Sequence, residues 1–259
     1  AKSEIIQNIK KNGTLVLNRD DVFFNYLYNL AKRKKIKIVT FGTSKKSDIH
    51  LLNKKFINDK YFYKIKAADE IVSIKARNIN IYNILSSIAV LKTLNLNIKK
   101  ILNSFKLIKP LDGRGKIFKV NRYNTSFQLI DESYNANPLS VKNAILNLSR
   151  IKKRNFKKYI LLGDMLELGN KSDFYHRKLS KIINNTDIDK VFVYGNNILN
   201  TFKYTKKNKR GNILQHLKDF DEIFSKIIKK NDYLMIKGSN ATGLNVLSRG
   251  LTKRGVSAF

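Results

Sequence analysis

Apolar positions along this chain recur with two periods, and the switching between them marks out strands and helices. Thr14-Leu15-Val16-Leu17 is a continuous apolar run of the kind that forms a buried strand, and Val22 to Ala31 carries apolar residues at helical spacing. Lys35 to Phe41 begins with polar–apolar alternation and stays β-branched, so a strand is predicted there, closed by Gly42. A β-rich patch follows. Ile79 to Leu96 is apolar on most faces and predicts a buried helix, with Asn80 and Asn83 three residues apart and therefore on one side. Lys106 to Lys116 is basic and contains Pro110 and two glycines, which reads as a hinge. The boundary placed there gives domains of residues 1–110 and 111–259.

Beyond the hinge the predicted order is strand 117–121, strand 126–130, helix 139–150, strand 158–163, helix 172–184, strand 190–195, helix 217–229, strand 232–237 and helix 242–253. Strands alternating with helices imply an α/β fold with a mostly parallel sheet covered on both faces. The strand ends then carry Asp131, Asp164, Gly195 and Lys237. Polar or glycine residues delivered to one sheet edge are what a ligand cleft in an open α/β fold requires.

The length of 259 residues allows two modest domains with real cores. There are no cysteines, so disulfides and thiolate chemistry are excluded. No apolar run approaches the roughly 20 residues needed to span a bilayer, and no signal peptide is visible, so a cytoplasmic protein is expected; a monomer is expected as well. Lys and Arg number 52 against 19 Asp and Glu, a formal net charge of +33 that would attract any polyanion. Yet the basic residues are spread over every segment, as in Lys10-Lys11, Lys32 to Lys35, Lys99-Lys100, Lys152-Lys153 and Lys229-Lys230. Together with the excess of Ile and Asn, this dispersal reads as compositional bias, and the sequence argues against a dedicated nucleic-acid interface.

The densest chemistry is Asp131-Glu132-Ser133-Tyr134-Asn135-Ala136-Asn137-Pro138, between the β-prone run Ser126 to Ile130 and the helical pattern from Leu139. Two carboxylates, a hydroxyl, a phenol and two amides leave the strand in one short loop. An ordinary turn with Asn137 as N-cap and Pro138 at the first helical position is the alternative. The two readings coexist, because the cap uses one residue and leaves five polar ones unexplained.

This octet resembles the corresponding loop of the Mur ligases, the ATP-dependent ligases of peptidoglycan synthesis, in the branch that adds D-alanyl-D-alanine to UDP-N-acetylmuramoyl-tripeptide. Asn18-Arg19-Asp20-Asp21, Gly113-Arg114-Gly115, Gly163 to Gly169 (Gly-Asp-Met-Leu-Glu-Leu-Gly) and Lys237-Gly238-Ser239 match in the same order. The resemblance implies a partial central ATP-binding domain followed by a Rossmann-like carboxyl-terminal domain, with ATP and Mg2+ as cofactors and the tripeptide nucleotide and dipeptide as partners. Neither Gly42 to Ser47 nor Gly163 to Ser172 satisfies Gly-x4-Gly-Lys-Ser/Thr. The family's phosphate loop lies well upstream, so the expectation is a chain that begins inside the ATP-binding domain and is inactive alone.

Site residues follow from the same resemblance. Arg114 matches the family's interdomain arginine and would meet a nucleotide phosphate, its glycine neighbours allowing close backbone approach. Asn80 and Asn83 match a helix that contacts adenine, although Ile79 stands where many relatives have histidine. Glu132 matches an acidic position on the ribose hydroxyls. Asp131, Ser133, Tyr134, Asn135, Asn137, Lys237 and Ser239 are expected on the substrate side. Lys2 matches a lysine that the family can carry as a carbamate bridging to magnesium, an oxygen ligand suited to a hard cation. From the residues alone, His176 reads as structural more readily than catalytic, Ser172 as the cap of its helix, and Asp20 and Asp21 as caps for the helix from Val22. No Cys/His cluster suggests zinc and no serine triad suggests itself.

Overall fold

The computed structural model describes residues 3–57, 60–76, 80–108, 110–152 and 155–253. The chain divides into two compact units, Ala1–Lys109 and Pro110–Phe259.

In the first unit α1 (Glu4–Gln7), β1 (Thr14–Asn18), α2 (Phe24–Arg33) and β2 (Lys37–Gly42) lead into three further strands, β3 (Ile49–Ile57), β4 (Lys60–Ala67) and β5 (Glu70–Ala76). Then come α3 (Ile81–Thr93), α4 (Ile98–Ile101) and a 3-10 turn at Leu102–Lys106. The sheet runs β1-β2-β3-β4-β5. Its first three strands are parallel and the last two join antiparallel, so the β-rich patch is a meander on the end of a parallel sheet.

Helix α3 buries Ile84, Leu85, Ile88 and Ala89 against Phe41, Ile49, Ile65 and Ile74. Its opposite side carries exposed Asn83, Ser87 and Val90, so it is buried on one face and not all round. Asn80 lies outside the helix as its N-cap and accepts from the Tyr82 N–H at 3.0 Å. The expected Asp20–Asp21 caps are also redrawn. Asp21 accepts from the Phe23 N–H, one residue before α2 begins, whereas Asp20 accepts from the Thr43 N–H (2.6 Å), the Thr43 hydroxyl (2.8 Å) and the Tyr82 phenol (3.1 Å). Burial works against the Asp20 carboxylate, but the bonds from Thr43 and Tyr82 outweigh it and hold the carboxyl below its ordinary range.

The second unit contains β6 (Lys116–Arg122), β7 (Thr125–Asp131), α5 (Pro138–Arg150), β8 (Lys158–Gly163), α6 (Ser172–Asn184), β9 (Lys190–Tyr194), α7 (Leu199–Tyr204), β10 (Arg210–Leu214), α8 (Asp219–Ile227), β11 (Tyr233–Lys237) and α9 (Leu244–Thr252). Sheet order is β10-β9-β8-β11-β7-β6, parallel except for the β6–β7 pair. Alternate residues of each central strand enter different cores, as expected of a doubly covered sheet. Ile160, Leu162, Val191, Val193 and Met235 pack with α5 and α6, whereas Tyr159, Leu161, Phe192, Leu234 and Ile236 pack with α8 and α9.

Two helices or strands of this unit, α7 and β10, are not predicted from the sequence. β10 is an edge strand with one buried side chain, Leu214, and so lacks any apolar periodicity. Ser172 is the first residue of α6 rather than its cap, and no side chain caps that helix.

Candidate functional site

The carboxyl ends of β7, β8, β9 and β11 lie at one edge of the second unit's sheet, because the four strands are parallel. Asp131 ends β7, and its carboxylate is almost wholly enclosed. Oδ2 accepts from the Gly113 N–H at 2.8 Å, while Oδ1 accepts from the Ser133 hydroxyl (2.6 Å) and the Ser133 N–H (3.2 Å). The Gly115 N–H donates to the Asp131 carbonyl at 2.7 Å, and the Tyr134 N–H to the Gly113 carbonyl at 3.1 Å. Gly113 has φ +74°, and a Cβ there would stand 2.7 Å from the Tyr134 Cβ, so only glycine fits. Asp131 and Ser133, expected on the substrate side, form internal ties that fold the octet against Gly113-Arg114-Gly115. The physical reason is that a buried acceptor-only carboxylate needs donors, and the loop supplies them.

Lys237 is likewise internal, with 2% of its side chain exposed. Its Nζ donates to the Asn135 carbonyl (2.9 Å), the Glu132 Oε2 (3.3 Å) and the Glu132 carbonyl (3.4 Å). Burial pushes the Glu132 carboxyl up from its ordinary value, against the pull of Lys237. Burial also pushes the Lys237 ammonium down, opposed by Glu132 and assisted by the positive charge of Arg114.

Ser239 is buried, accepting from the Leu166 N–H at 3.0 Å and donating to the Ala136 carbonyl at 3.4 Å. It therefore links two loops. The loop after β8 is fixed further by His176, which is fully buried and whose Nε2 accepts from the Met165 N–H at 3.0 Å. The other ring nitrogen then carries the proton and donates to the Ser172 carbonyl at 2.9 Å. Asp164, read from sequence only as a polar strand end, accepts from the N–H groups of Ile198 (2.8 Å) and Asn196 (3.1 Å). Gly195, at φ +127°, passes so close to that carboxylate that a Cβ would lie 2.6 Å from it. A glycine one residue beyond β9 was the signal in the sequence for this contact.

Four of the expected site residues in this unit present side chains to solvent to some degree. Arg114 is exposed and lies over the Tyr134 ring at 4.5 Å, Tyr134 is 51% exposed, Asn135 is exposed, and Glu132 is partly so. Asn137 is exposed, but its Oδ1 accepts from the Ser140 N–H at 2.8 Å while the Asn137 N–H donates to the Ser140 Oγ at 3.0 Å, a reciprocal capping box.

In the first unit the two expected adenine contacts differ. The Asn80 Oδ1 already accepts from the Tyr82 N–H as the helix cap, whereas the exposed Asn83 side chain carries both donor and acceptor groups. Lys2 and Ile79 lie outside the described residues. Among the described residues no group of three or more His, Cys, Asp or Glu side chains could hold a metal ion, and no helix is long and apolar enough to cross a membrane.

A doubly covered parallel sheet, with a tied polar loop and exposed Arg, Glu, Tyr and Asn at its strand ends, defines an α/β ligand-binding protein. Two family descriptions match the sequence: Mur ligase middle domain over residues 1–91, and Mur ligase, glutamate ligase domain over residues 115–240. The chain belongs to the Mur ligase family.

Its curated relatives include the UDP-N-acetylmuramoyl-tripeptide–D-alanyl-D-alanine ligases of Bacillus subtilis (strain 168), 25% identical over 99% of this chain and 55% of the relative, and of Buchnera aphidicola subsp. Baizongia pistaciae, 28% identical over 98% and 54%. The chain thus spans about half the length of these relatives. The MurF ligase of Thermotoga maritima in complex with ADP shares the fold, with a TM-score of 0.74 at 23% identity over 97% of this chain and 57% of that one.

Proposed function

We propose that this chain supplies the middle and carboxyl-terminal parts of an ATP-dependent ligase that joins D-alanyl-D-alanine to UDP-N-acetylmuramoyl-tripeptide in peptidoglycan precursor synthesis, acting in the cytoplasm as a monomer. The observation that carries this is the octet Asp131 to Pro138, folded on Gly113-Arg114-Gly115 so that Arg114, Tyr134 and Asn135 are exposed and Glu132 partly exposed near the strand ends. The relatives that match across almost the whole chain carry the same activity in their names.

The reaction has two steps. The γ-phosphoryl group of ATP passes to the tripeptide's terminal carboxylate and ADP leaves; the dipeptide amine then attacks the acyl carbon, loses a proton and expels phosphate. Arg114, permanently charged and braced on Tyr134, offsets phosphate charge. Glu132 accepts from ribose hydroxyls, Asn83 reads the adenine edge with Asn80 as a supporting donor, and Asn135 orients the dipeptide or acyl phosphate. Asp131, Ser133, Lys237, Ser239 and Asn137 hold that loop in place. Mg2+ would neutralise the ATP phosphates when bound, with a carbamylated Lys2 as its protein bridge. The 259 residues contain no Gly-x4-Gly-Lys-Ser/Thr and by themselves are expected not to turn over.

The test is phosphate release by the ligase containing this sequence, measured with the tripeptide nucleotide and a panel of acceptors. D-alanyl-D-alanine should be required, and turnover with a single amino acid instead would point to another Mur-type ligase. In the same assay Arg114→Ala should raise the KM for ATP at least about tenfold, the usual consequence of losing one charge-assisted bond. An unchanged ATP dependence would make Arg114 a solvated loop residue.

A further inference from the structure

We propose that the outward face of β3, β4 and β5 binds single-stranded nucleic acid. Antiparallel pairing gathers residues there that are scattered in the sequence. Lys55, Phe62 and Lys75 stand opposite one another in one cross-strand row, and Asn53, Lys64 and Ser73 in the next. Burial alternates along β4 so that Tyr63 and Ile65 enter the core while Phe62 and Lys64 face out. With Lys99 from α4, these residues line an open cleft of about 690 Å³ that has no carboxylate among its lining residues.

Some lysines of the chain sit beside acids, as Lys92 does with Asp69 and Glu70, Lys116 with Asp112, and Lys226 with Glu222. Among the described residues Lys55, Lys64, Lys75 and Lys99 make no ion pair. Concave clusters of like charge focus the field outward and call for an anionic occupant, whose binding releases condensed counterions. Phe62, 37% exposed with the Lys75 Nζ 5.3 Å from its ring, adds an aromatic face of the kind on which unstacked bases rest.

Asn53 and Ser73 flank Lys64 and can hydrogen-bond base or sugar edges. The alternation of β4 also places Lys60 and Lys66 on the same side as Phe62 and Lys64, so the cationic track runs past the cleft and suits a chain better than one nucleotide. A concave cleft suits a strand better than a planar lipid surface. The inference is independent of the ligase reading, because it uses no residue assigned to that reaction.

The experiment measures binding of a fluorescent single-stranded oligonucleotide to the 259-residue chain as a function of salt, with thermal melts to confirm folding. Replacing Lys55, Lys64 and Lys75 with Gln should weaken binding and flatten the slope of log K against log salt by about 2, the share of three phosphate contacts on a single strand. Phe62→Ala should cost about tenfold and Phe62→Tyr little, since only the former loses the stacking face. The control replaces Lys142, Lys178 and Lys181, exposed on α5 and α6, with Gln and should bind as the parent does. Equal losses in patch and control variants would overturn the proposal, showing diffuse attraction to a basic protein. So would patch-dependent binding to anionic phosphatidylserine vesicles without binding to the oligonucleotide.

Discussion

At the scale of single residues, the most consequential pair is Glu132 and Lys237, held 3.3 Å apart at the base of the octet. A raised carboxyl pKa means that folding favours the protonated acid. The stability from Glu132 is therefore complete below its ordinary 4.5 and declines as pH rises through the folded value. For Lys237 the lowered pKa reverses the sense, with stability complete above 10.5 and declining as pH falls through the folded value. Near neutrality each charge is thus tolerated because the other is present. Lys237→Met should therefore destabilise by about 3 kcal/mol at pH 8, where it leaves a buried carboxylate unpartnered. The gap from the parent should close as pH falls toward 4.5, and Glu132→Gln combined with Lys237→Met should recover much of the loss. Chemical denaturation at several pH values checks this, and a pH-independent gap would show that packing alone is at stake.

Among elements, the octet and α5 divide their work between neighbouring residues. Asn137 makes a capping box with Ser140, so Asn137→Ala should lower stability by about 1 kcal/mol. The Asn135 side chain accepts a local bond at its Oδ1 from the Ala136 N–H, so Asn135→Ala should leave the melt unchanged and depress turnover of the ligase. Full turnover in that variant would reduce the octet to a well-tied turn. The Asn137–Pro138 helix start was legible because capping is a local rule, and the central strands because a doubly covered sheet demands long apolar runs. Edge strand β10 was not, since it buries only Leu214. Nor were the internal bonds of Asp131, Ser133, Lys237 and Ser239, because a polar residue at a strand end or on a loop looks the same in sequence whether it faces a ligand or neighbouring protein groups. Their partners, such as Gly113 for Asp131 and Leu166 for Ser239, lie 18 and 73 positions away.

For the whole molecule, each unit has its own apolar core, so Pro110–Phe259 prepared alone should give a cooperative melt and retain α/β circular dichroism. A broad, non-cooperative transition would show that it depends on the preceding residues. Within that unit the strand made last, β11, lies between β7 and β8, pairing with both. Until the ribosome has delivered Tyr233 to Lys237, β7 with β6 and β8 with β9 are two half-sheets with unpaired inner edges. The Lys237–Glu132 contact spans 105 positions and closes only then. A nascent chain is therefore without the base of its octet until β11 is made, and a stop codon just before Tyr233 should yield an aggregation-prone product although β6 to β10 have all been made.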